Sequence, residues 1–371
     1  MKIALLSGAY KNAGDFLIVE RTCQLLEHVI TGCEIMKFER RLPLDAELEK
    51  VNGCDAVVVA GGPMYHRAVY PKVFPLVNDL SKILPPFLII GGGCNVRSSA
   101  STDIFSFSFS ESARKLLDRV EKDGMNLGCR DVITAKILNH QNYKSSVVTG
   151  CPAWYDVEYI GKSGFCNNKQ QIKRIAISDP GKPENYANTL KLLKWLRMRY
   201  PEAELLFIFH RGISADANTS DKKGALLQDL VGELDVMGVK YKDIAYGAEG
   251  FGEYNECDLH VGYRVHAHIY NLSQARRSIL IEEDSRGAGV NQVLGLPSIP
   301  AYSYTSFPKN RYIRKLNSML SDNVNPYVVE EVEGWLSNLD TYDQMIINAF
   351  TMIQKYYDVM HDHIKQLSRL S

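Results

Sequence analysis

Three short apolar runs, each closed by glycine, constrain the fold of this chain more than any other feature. Ile3 to Leu6 runs into Ser7-Gly8, Ala56 to Ala60 into Gly61-Gly62-Pro63, and Phe87 to Ile90 into Gly91-Gly92-Gly93. Such runs, bounded by turn residues, read as strands buried on both faces. Helical patterns lie between them. In 15–30, Ile18, Thr22, Leu25 and Val29 fall on one stripe, with Asp15 where an N-cap belongs. A helix over 110–123, a short strand at Leu127 to Arg130, a helix over 131–140 and a strand at Val147-Val148 follow, with weaker patterns for a strand at 34–38 and a helix at 44–51. This alternation predicts a parallel sheet covered by helices on both faces.

Residues 151–172 lose the rhythm, and the polar stretch Lys162 to Gln170 reads as a linker. A second α/β set then begins. Strands are expected at Ile175 to Ser178, Leu205 to His210, Lys242 to Ala245, Leu259 to Gly262 and Ile279 to Ile281. Helices are expected at 184–199, 221–237, 265–275 and 286–294, with a helical tail over 340–367. The chain has 371 residues, which suits two domains. The expected fold class is α/β, two doubly wound Rossmann-like domains facing a cleft: an N-terminal domain over 1–160, a C-terminal domain over 170–325 and a helical tail over 326–371. Ligands of open parallel sheets bind beyond the carboxyl ends of the strands, so the cleft is the expected site.

Lys+Arg and Asp+Glu both number 43. A nucleic-acid binder would carry a basic excess, so any anion site must be local. The eight cysteines are scattered without a C-x-x-C pair, which fits reduced thiols rather than zinc or redox motifs. The opening residues read as a strand and turn rather than a secretory signal, and no apolar run approaches the roughly 20 residues of a membrane span. A cytoplasmic protein is expected.

Candidate chemistry gathers at strand ends. Gly8-Ala9-Tyr10-Lys11-Asn12-Ala13-Gly14-Asp15 links a strand to a helix and offers free N–H groups to an anion or a sugar; the bland alternative is a capped turn. It is neither a P-loop nor G-x-G-x-x-G. Gly61-Gly62-Pro63 and Gly91-Gly92-Gly93-Cys94-Asn95 allow close approach of a ligand, or are simple turns. The segment from Asn95 to Ser110, with Phe105-Ser106-Phe107-Ser108-Phe109, reads equally as a sugar-binding lid or an extra edge strand. Cys257 to His268 weighs most. Arg264 at a strand end supplies a planar fork for carboxylate or phosphate, and His266 in the first helical turn can carry a proton. The alternative is a surface Arg and a core His. His266 and His268 stand two apart on a helix, a poor spacing for one metal, and His361 and His363 fail in the same way. His210 and Arg211 end a second-domain strand, with Arg211 a second anion clamp or an exposed loop residue. The basic run Lys309 to Lys315 reads as a solvated helix face or as a contact with an anionic membrane or lipid-linked diphosphate.

Taken in order, these motifs resemble the polysaccharide pyruvyl transferase family. Asn12-Ala13-Gly14-Asp15 resembles its N-x-G-D turn, and Gly262-Tyr263-Arg264-Val265-His266 its G-x-R-[aliphatic]-H segment. Arg130-Asp131 and Gly150-Cys151-Pro152-Ala153 resemble its R-D and D-P-A region, with Cys151 where Asp is usual. The resemblance implies a GT-B-like fold, phosphoenolpyruvate as donor, and a saccharide acceptor, free or lipid-linked. Arg264 and His266 then match the donor-site Arg and His. Arg211 matches a further Arg by strand position, Arg130 is substrate-binding with Asn12, Gly14, Asp15, Gly62 and Asn95, and Arg286 stands where Lys is frequent. Tyr263 occupies a position where a small residue is common.

Phosphoenolpyruvate is an enol ether carrying a carboxylate and a phosphate. Protonation at its methylene carbon makes C2 cation-like, a sugar hydroxyl attacks, phosphate leaves and a second hydroxyl closes a ketal. That scheme needs cations, an acid and a base, and no metal or other cofactor. The competing readings are a glycosyltransferase using a nucleotide sugar, with Glu282, Glu283 and Asp284 available for a ribose, and a non-catalytic sugar-binding protein.

Overall fold

The computed structural model describes residues 1–96, 99–163, 171–302 and 324–369. The core of the expected linker and the basic run Lys309 to Lys315 lie outside the described residues. Two parallel six-stranded sheets organise the chain. The first contains β1 Lys2–Ser7, β2 Glu34–Glu39, β3 Ala56–Ala60, β4 Phe87–Gly92, β5 Leu127–Cys129 and β6 Ser146–Val148. Their order is β2-β1-β3-β4-β5-β6. Helices α1 Ala13–Val29, α2 Leu48–Asn52, α3 Ser101–Phe105, α4 Glu111–Lys122 and α5 Val132–His140 connect them.

The second sheet contains β7 Arg174–Ser178, β8 Glu204–Phe209, β9 Lys240–Asp243, β10 Leu259–Gly262, β11 Ser278–Glu282 and β12 Ile299–Pro300, in the order β12-β11-β10-β7-β8-β9. Its helices are α6 Tyr186–Arg199, α7 Asp221–Val236, α8 Val265–Leu272 and α9 Ser285–Leu294. Every residue of β3, β4, β10 and β11 is buried, and β3 and β4 accordingly read as unbroken apolar runs rather than alternating ones.

Strand order fixes where a ligand can sit. In the first sheet the order reverses between β1 and β3, and in the second between β7 and β10. The crevice of a doubly wound sheet opens beyond the carboxyl ends at such a reversal. The turn after β1 and the glycines after β3 therefore flank one crevice. Asp179, after β7, and Arg264, after β10, flank the other.

Several expectations are corrected. Helix α1 begins at Ala13 with Asn12 as its N-cap, so Asp15 lies in the first turn and is not the cap. The strand expected at Lys242 to Ala245 sits two residues earlier, because β9 is an edge strand with mostly exposed side chains and little apolar signal. The Phe-Ser alternation is not an edge strand. Phe105 closes the short α3 and is exposed, whereas Phe107 and Phe109 are buried and meet edge to face at 5.1 Å.

Two tail helices follow, α10 Val328–Leu336 and α11 Leu339–Ile364. Helix α11 joins the two sheets. Near its start, the Tyr342 hydroxyl donates to Ser278 O (2.7 Å) and Asp343 pairs with Arg277 (2.6 Å). Near its end, His363 Nε2 donates to Ile89 O (2.9 Å), and Gln366 beyond it accepts from Asn126 N (3.0 Å). No helix among the described residues is long and apolar enough to cross a membrane.

Gly91 tests the crowding at the end of β4. Its φ is +59°, and a Cβ there would lie 2.5 Å from Gly150 O and 2.6 Å from Pro152. Gly91→Ala is expected to cost about 1–3 kcal/mol, from the left-handed backbone and the clash together. The check is a lowered midpoint in urea unfolding.

Candidate active site

The turn after β1 is built to receive a side chain from the other half. Asn12 starts α1 and its carbonyl accepts from Asp15 N (2.9 Å), while Ala13 N donates to His210 O at the end of β8 (3.0 Å). Gly14 then presents a bare Cα to the His266 ring, which a methyl at Gly14 would overlap. The N-x-G-D turn and the R-x-H segment are thus in contact across the crevice. Gly14 carries no unusual φ, so its lack of a side chain is what the contact uses.

His266 lies in the first turn of α8, and Arg264 is that helix's N-cap. The imidazole Nε2 is sealed from solvent and has no hydrogen-bond partner among the described residues. Burial, followed by the positive charges of Arg130, Arg286 and Arg264, pushes the imidazole pKa down to about 3. His266 is therefore a neutral ring with an unanswered polar atom, an expensive arrangement unless something binds there.

The arginines divide into two kinds. Arg264 is committed: its Nε donates to Asp179 Oδ1 (2.7 Å) and its Nη2 to Asp179 Oδ2, an end of β7 the sequence reading passed over. It is therefore not the free anion clamp expected, and only its Nη1 edge remains, near Gly181. Arg286 chelates Asp284 through Nε (2.9 Å) and Nη2 (2.7 Å), and Arg130 pairs with Asp131 (3.0 Å) and donates to Cys94 O (3.2 Å). Arg211 and Arg40 have no ion pair among the described residues. Arg211 Nη2 donates to the Tyr10 hydroxyl across the halves (3.2 Å).

Arg40, after β2, was not anticipated. It is buried, donates to Gly61 O (2.9 Å), leaves Nε unpartnered and lies 4.7 Å from the Phe74 ring centroid. A Cβ on Gly62, at φ +71°, would come within 2.9 Å of its Nη2, so the glycine admits an arginine of the protein itself. Asp15 is ringed by Arg40, Arg211 and Arg286. Burial raises its pKa more than these cations lower it.

Other expected site residues stand apart. His210 is buried and pairs with the Tyr254 hydroxyl (2.7 Å), so it belongs to the core. His268 pairs with Ser278 Oγ (2.8 Å) and Asn291 (3.1 Å), away from the neighbours of His266. Asn95 is exposed and makes no hydrogen bond among the described residues. Glu283 accepts from Gly181 N (2.8 Å), Lys182 N (3.0 Å) and Asn185 (2.7 Å), Glu282 from Asn291 and Ser298, and Asp284 caps α9. No group of three or more His, Cys, Asp or Glu among the described residues could hold a metal ion.

The profile of polysaccharide pyruvyl transferases matches residues 12–285, from the Asn of the first turn to the start of α9. The chain belongs to the polysaccharide pyruvyl transferase family. A search of the curated proteins finds no match. Among solved structures, Staphylococcus aureus MnaA with UDP is similar at TM-score 0.56 and 12% identity, covering 100% of this chain and 97% of that one. The UDP-GlcNAc 2-epimerase of Neisseria meningitidis, bound to UDP-GlcNAc, gives 0.54 at 12% identity, covering 99% and 100%. At this identity the likeness concerns the fold, which is GT-B-like. Cys151 stands where the resemblance leads one to expect an Asp. Its side chain is buried and its thiol is pushed up to about 11, so it supplies no anion in place of the carboxylate.

The buried imidazoles set an acid limit on stability. His266 and His268 are held near 3 and His363 near 4, and His210 and His260 are also lowered, each with burial as the largest cause. Each is neutral when folded but charges when unfolded below about 6.5, so the unfolded state binds more protons and stability falls with pH. The raised carboxyls of Glu282, Glu283 and Asp15 act in the opposite sense, three groups against five. The melting temperature is expected to hold above pH 7 and drop steeply between pH 6.5 and about 4.5. His268→Asn should shallow that slope, measured by scanning calorimetry across the range.

Proposed function

We propose that this member of the family transfers the pyruvyl group of phosphoenolpyruvate to two hydroxyls of a saccharide, releasing phosphate and forming a ketal. The observation that carries the reading is His266 Nε2, buried and unpartnered, with Arg130, Arg286 and Arg264 as the cations around it. A small dianion suits those cations, and a proton carrier suits its enol carbon.

The charge state of His266 fits the order of events. In the free protein, burial and three arginines keep the ring neutral. The phosphate and carboxylate of the donor offset those positive charges and raise the proton affinity of the ring. The imidazolium so formed gives its proton to the methylene carbon, and C2 becomes cation-like. The first hydroxyl attacks C2, phosphate departs with the C–O electron pair, and the second hydroxyl closes the ring. Of the two hydroxyl protons, one restores the imidazolium and one leaves with phosphate. Asp15, with its raised pKa and its place beside Gly14, is the second group able to hold a proton there. Arg211, with no carboxylate of its own, is the better candidate for a free anion clamp than Arg264. Asp179 fixes Arg264 in place, so the role of Arg264 is to orient rather than to reach.

The nucleotide-sugar alternative shares the fold of the two solved structures. Against it, Glu282, Glu283 and Asp284 are already engaged by protein donors and offer no free carboxylate to a ribose.

A donor screen decides between the readings. Phosphoenolpyruvate and UDP-sugars are offered with saccharide acceptors, and release of phosphate or nucleotide is followed. Phosphate release from phosphoenolpyruvate alone among the donors is expected. His266→Ala should lower kcat by about 10²–10⁴ with the fold intact. Arg211→Ala should weaken phosphoenolpyruvate binding ~10–100-fold in calorimetry. Turnover of His266→Ala at the parent's rate would remove that residue from the chemistry.

A further inference from the structure

Lys11 lies in the turn after β1, between Tyr10 and Asn12, and is wholly buried. Lysine is almost never fully buried unless paired. Its partners all come from the other half of the chain. The ammonium pairs with Asp216 (2.5 Å) and donates to the Thr219 hydroxyl, both in the loop between β8 and α7. It stands 5.5 Å from the ring centroid of Tyr246, in the loop after β9.

The socket is itself braced. The Tyr246 hydroxyl donates to Asp216 Oδ2 (2.6 Å), and Tyr246 N donates to Lys11 O (2.8 Å). Tyr246 has φ +69°, an uncommon conformation for a tyrosine and one that surrounding contacts must hold. At Gly212, φ +83°, a Cβ would come 3.3 Å from Lys11 Cε and Nζ, so the loop closes tightly on the lysine stem. Nothing in the proposed chemistry uses this cluster.

Its position shows what it controls. The loop that holds Lys11 begins with Arg211, whose guanidinium reaches Tyr10, the residue before Lys11. Two residues beyond Lys11, Ala13 N donates to His210 O. Anchoring Lys11 therefore draws the β8 end against the turn that carries Gly14 and Asp15.

We propose that Lys11 is a positioning residue, a latch whose ammonium, seated in the Asp216–Thr219–Tyr246 socket, holds the two halves together and sets Arg211 at the edge of the site. The part concerning Arg211 rests on the pyruvyl transfer reading; the latch does not. With the latch released, Arg211 is no longer held against the turn.

Hydrogen exchange resolved by residue tests the latch without any substrate. In the full chain, Lys11→Met keeps the length of the stem and removes the charge. The amides of Ala13 and Tyr246, both donating across the halves, should exchange at least ~10-fold faster, while those of β4 and β10 keep the parent's protection. Asp216→Asn should do the same from the partly exposed side of the socket, and it serves if Lys11→Met does not fold. The double variant should add little to either single one, as expected for two members of one interaction. With phosphoenolpyruvate as donor, the Lys11→Met KM should rise about tenfold with a smaller change in kcat, since a displaced Arg211 weakens binding before chemistry. Parent-like exchange at Ala13 and Tyr246 in these variants would overturn the latch. A parent protein inert toward phosphoenolpyruvate would overturn the functional reading, and the exchange result would still decide the latch.

Discussion

The contact of the His266 ring with the bare Cα of Gly14 is the constraint around which the site is assembled. It joins the crevice of one sheet to that of the other, each lying where strand order reverses. A side chain at position 14 would push α8 away from α1 and with it Arg264, the N-cap of α8. The glycine of the N-x-G-D turn is explained by this packing, without appeal to turn geometry. Gly262 is explained in the same way. A Cβ there would overlap Ser178, whose Oγ accepts from Arg264 N (3.1 Å) and so fixes where α8 begins.

Gathering arginines at a buried junction has a physical cost, and the pairing pattern shows how the fold meets it. Unpaired charge in a low-dielectric site is strongly disfavoured. Arg264, Arg286 and Arg130 are each matched by a carboxylate one or two residues away or on the neighbouring strand end. Such pairs are rigid, keep their direction, and still project positive potential from the edge facing away from the carboxylate. Arg40 and Arg211 are treated otherwise: the first is held by carbonyl oxygens and the Phe74 ring, the second by a tyrosine hydroxyl. The junction therefore combines fixed dipolar pairs with two cations that have no carboxylate partner among the described residues, and His266, under the positive charge of Arg130, Arg286 and Arg264, is held neutral.

Much of the architecture was legible in the chain, because central parallel strands are buried on both faces and write themselves as continuous apolar runs. Ala56 to Ala60 was placed to the residue for that reason. Edge strands carry no such mark, and β9, with Lys240 and Lys242 exposed, was misplaced by two residues. Motifs showed which residues cluster, but not how each one is engaged. Arg264 and His266 were found from strand-end chemistry, whereas Asp179, which engages Nε and Nη2 of Arg264, is an ordinary Asp before Pro180 until β7 and β10 are seen to be neighbours. Arg40 follows an unremarkable edge strand and gains meaning only from Gly8 and Gly62, which are far from it in sequence. Pairings that depend on strand order cannot be read from spacing along the chain.

The same reasoning separates what the fold decides from what the junction decides. Two doubly wound sheets, joined by a long terminal helix, place two crevices face to face, and proteins solved with UDP or UDP-GlcNAc share that frame at 12% identity. A frame so tolerant of sequence cannot by itself select a donor. Selection must come from side chains at the crevice edges, and here those edges hold arginines, one orphaned imidazole and carboxylates already engaged. Glu283 is the instructive case. It follows β11 at a place where a free carboxylate could meet a ribose. Instead it accepts two backbone N–H groups and the Asn185 amide, bracing the loop after β7 that carries Asp179. Its acceptors thus orient Asp179, Asp179 orients Arg264, and the carboxylates of this junction serve to aim positive charge.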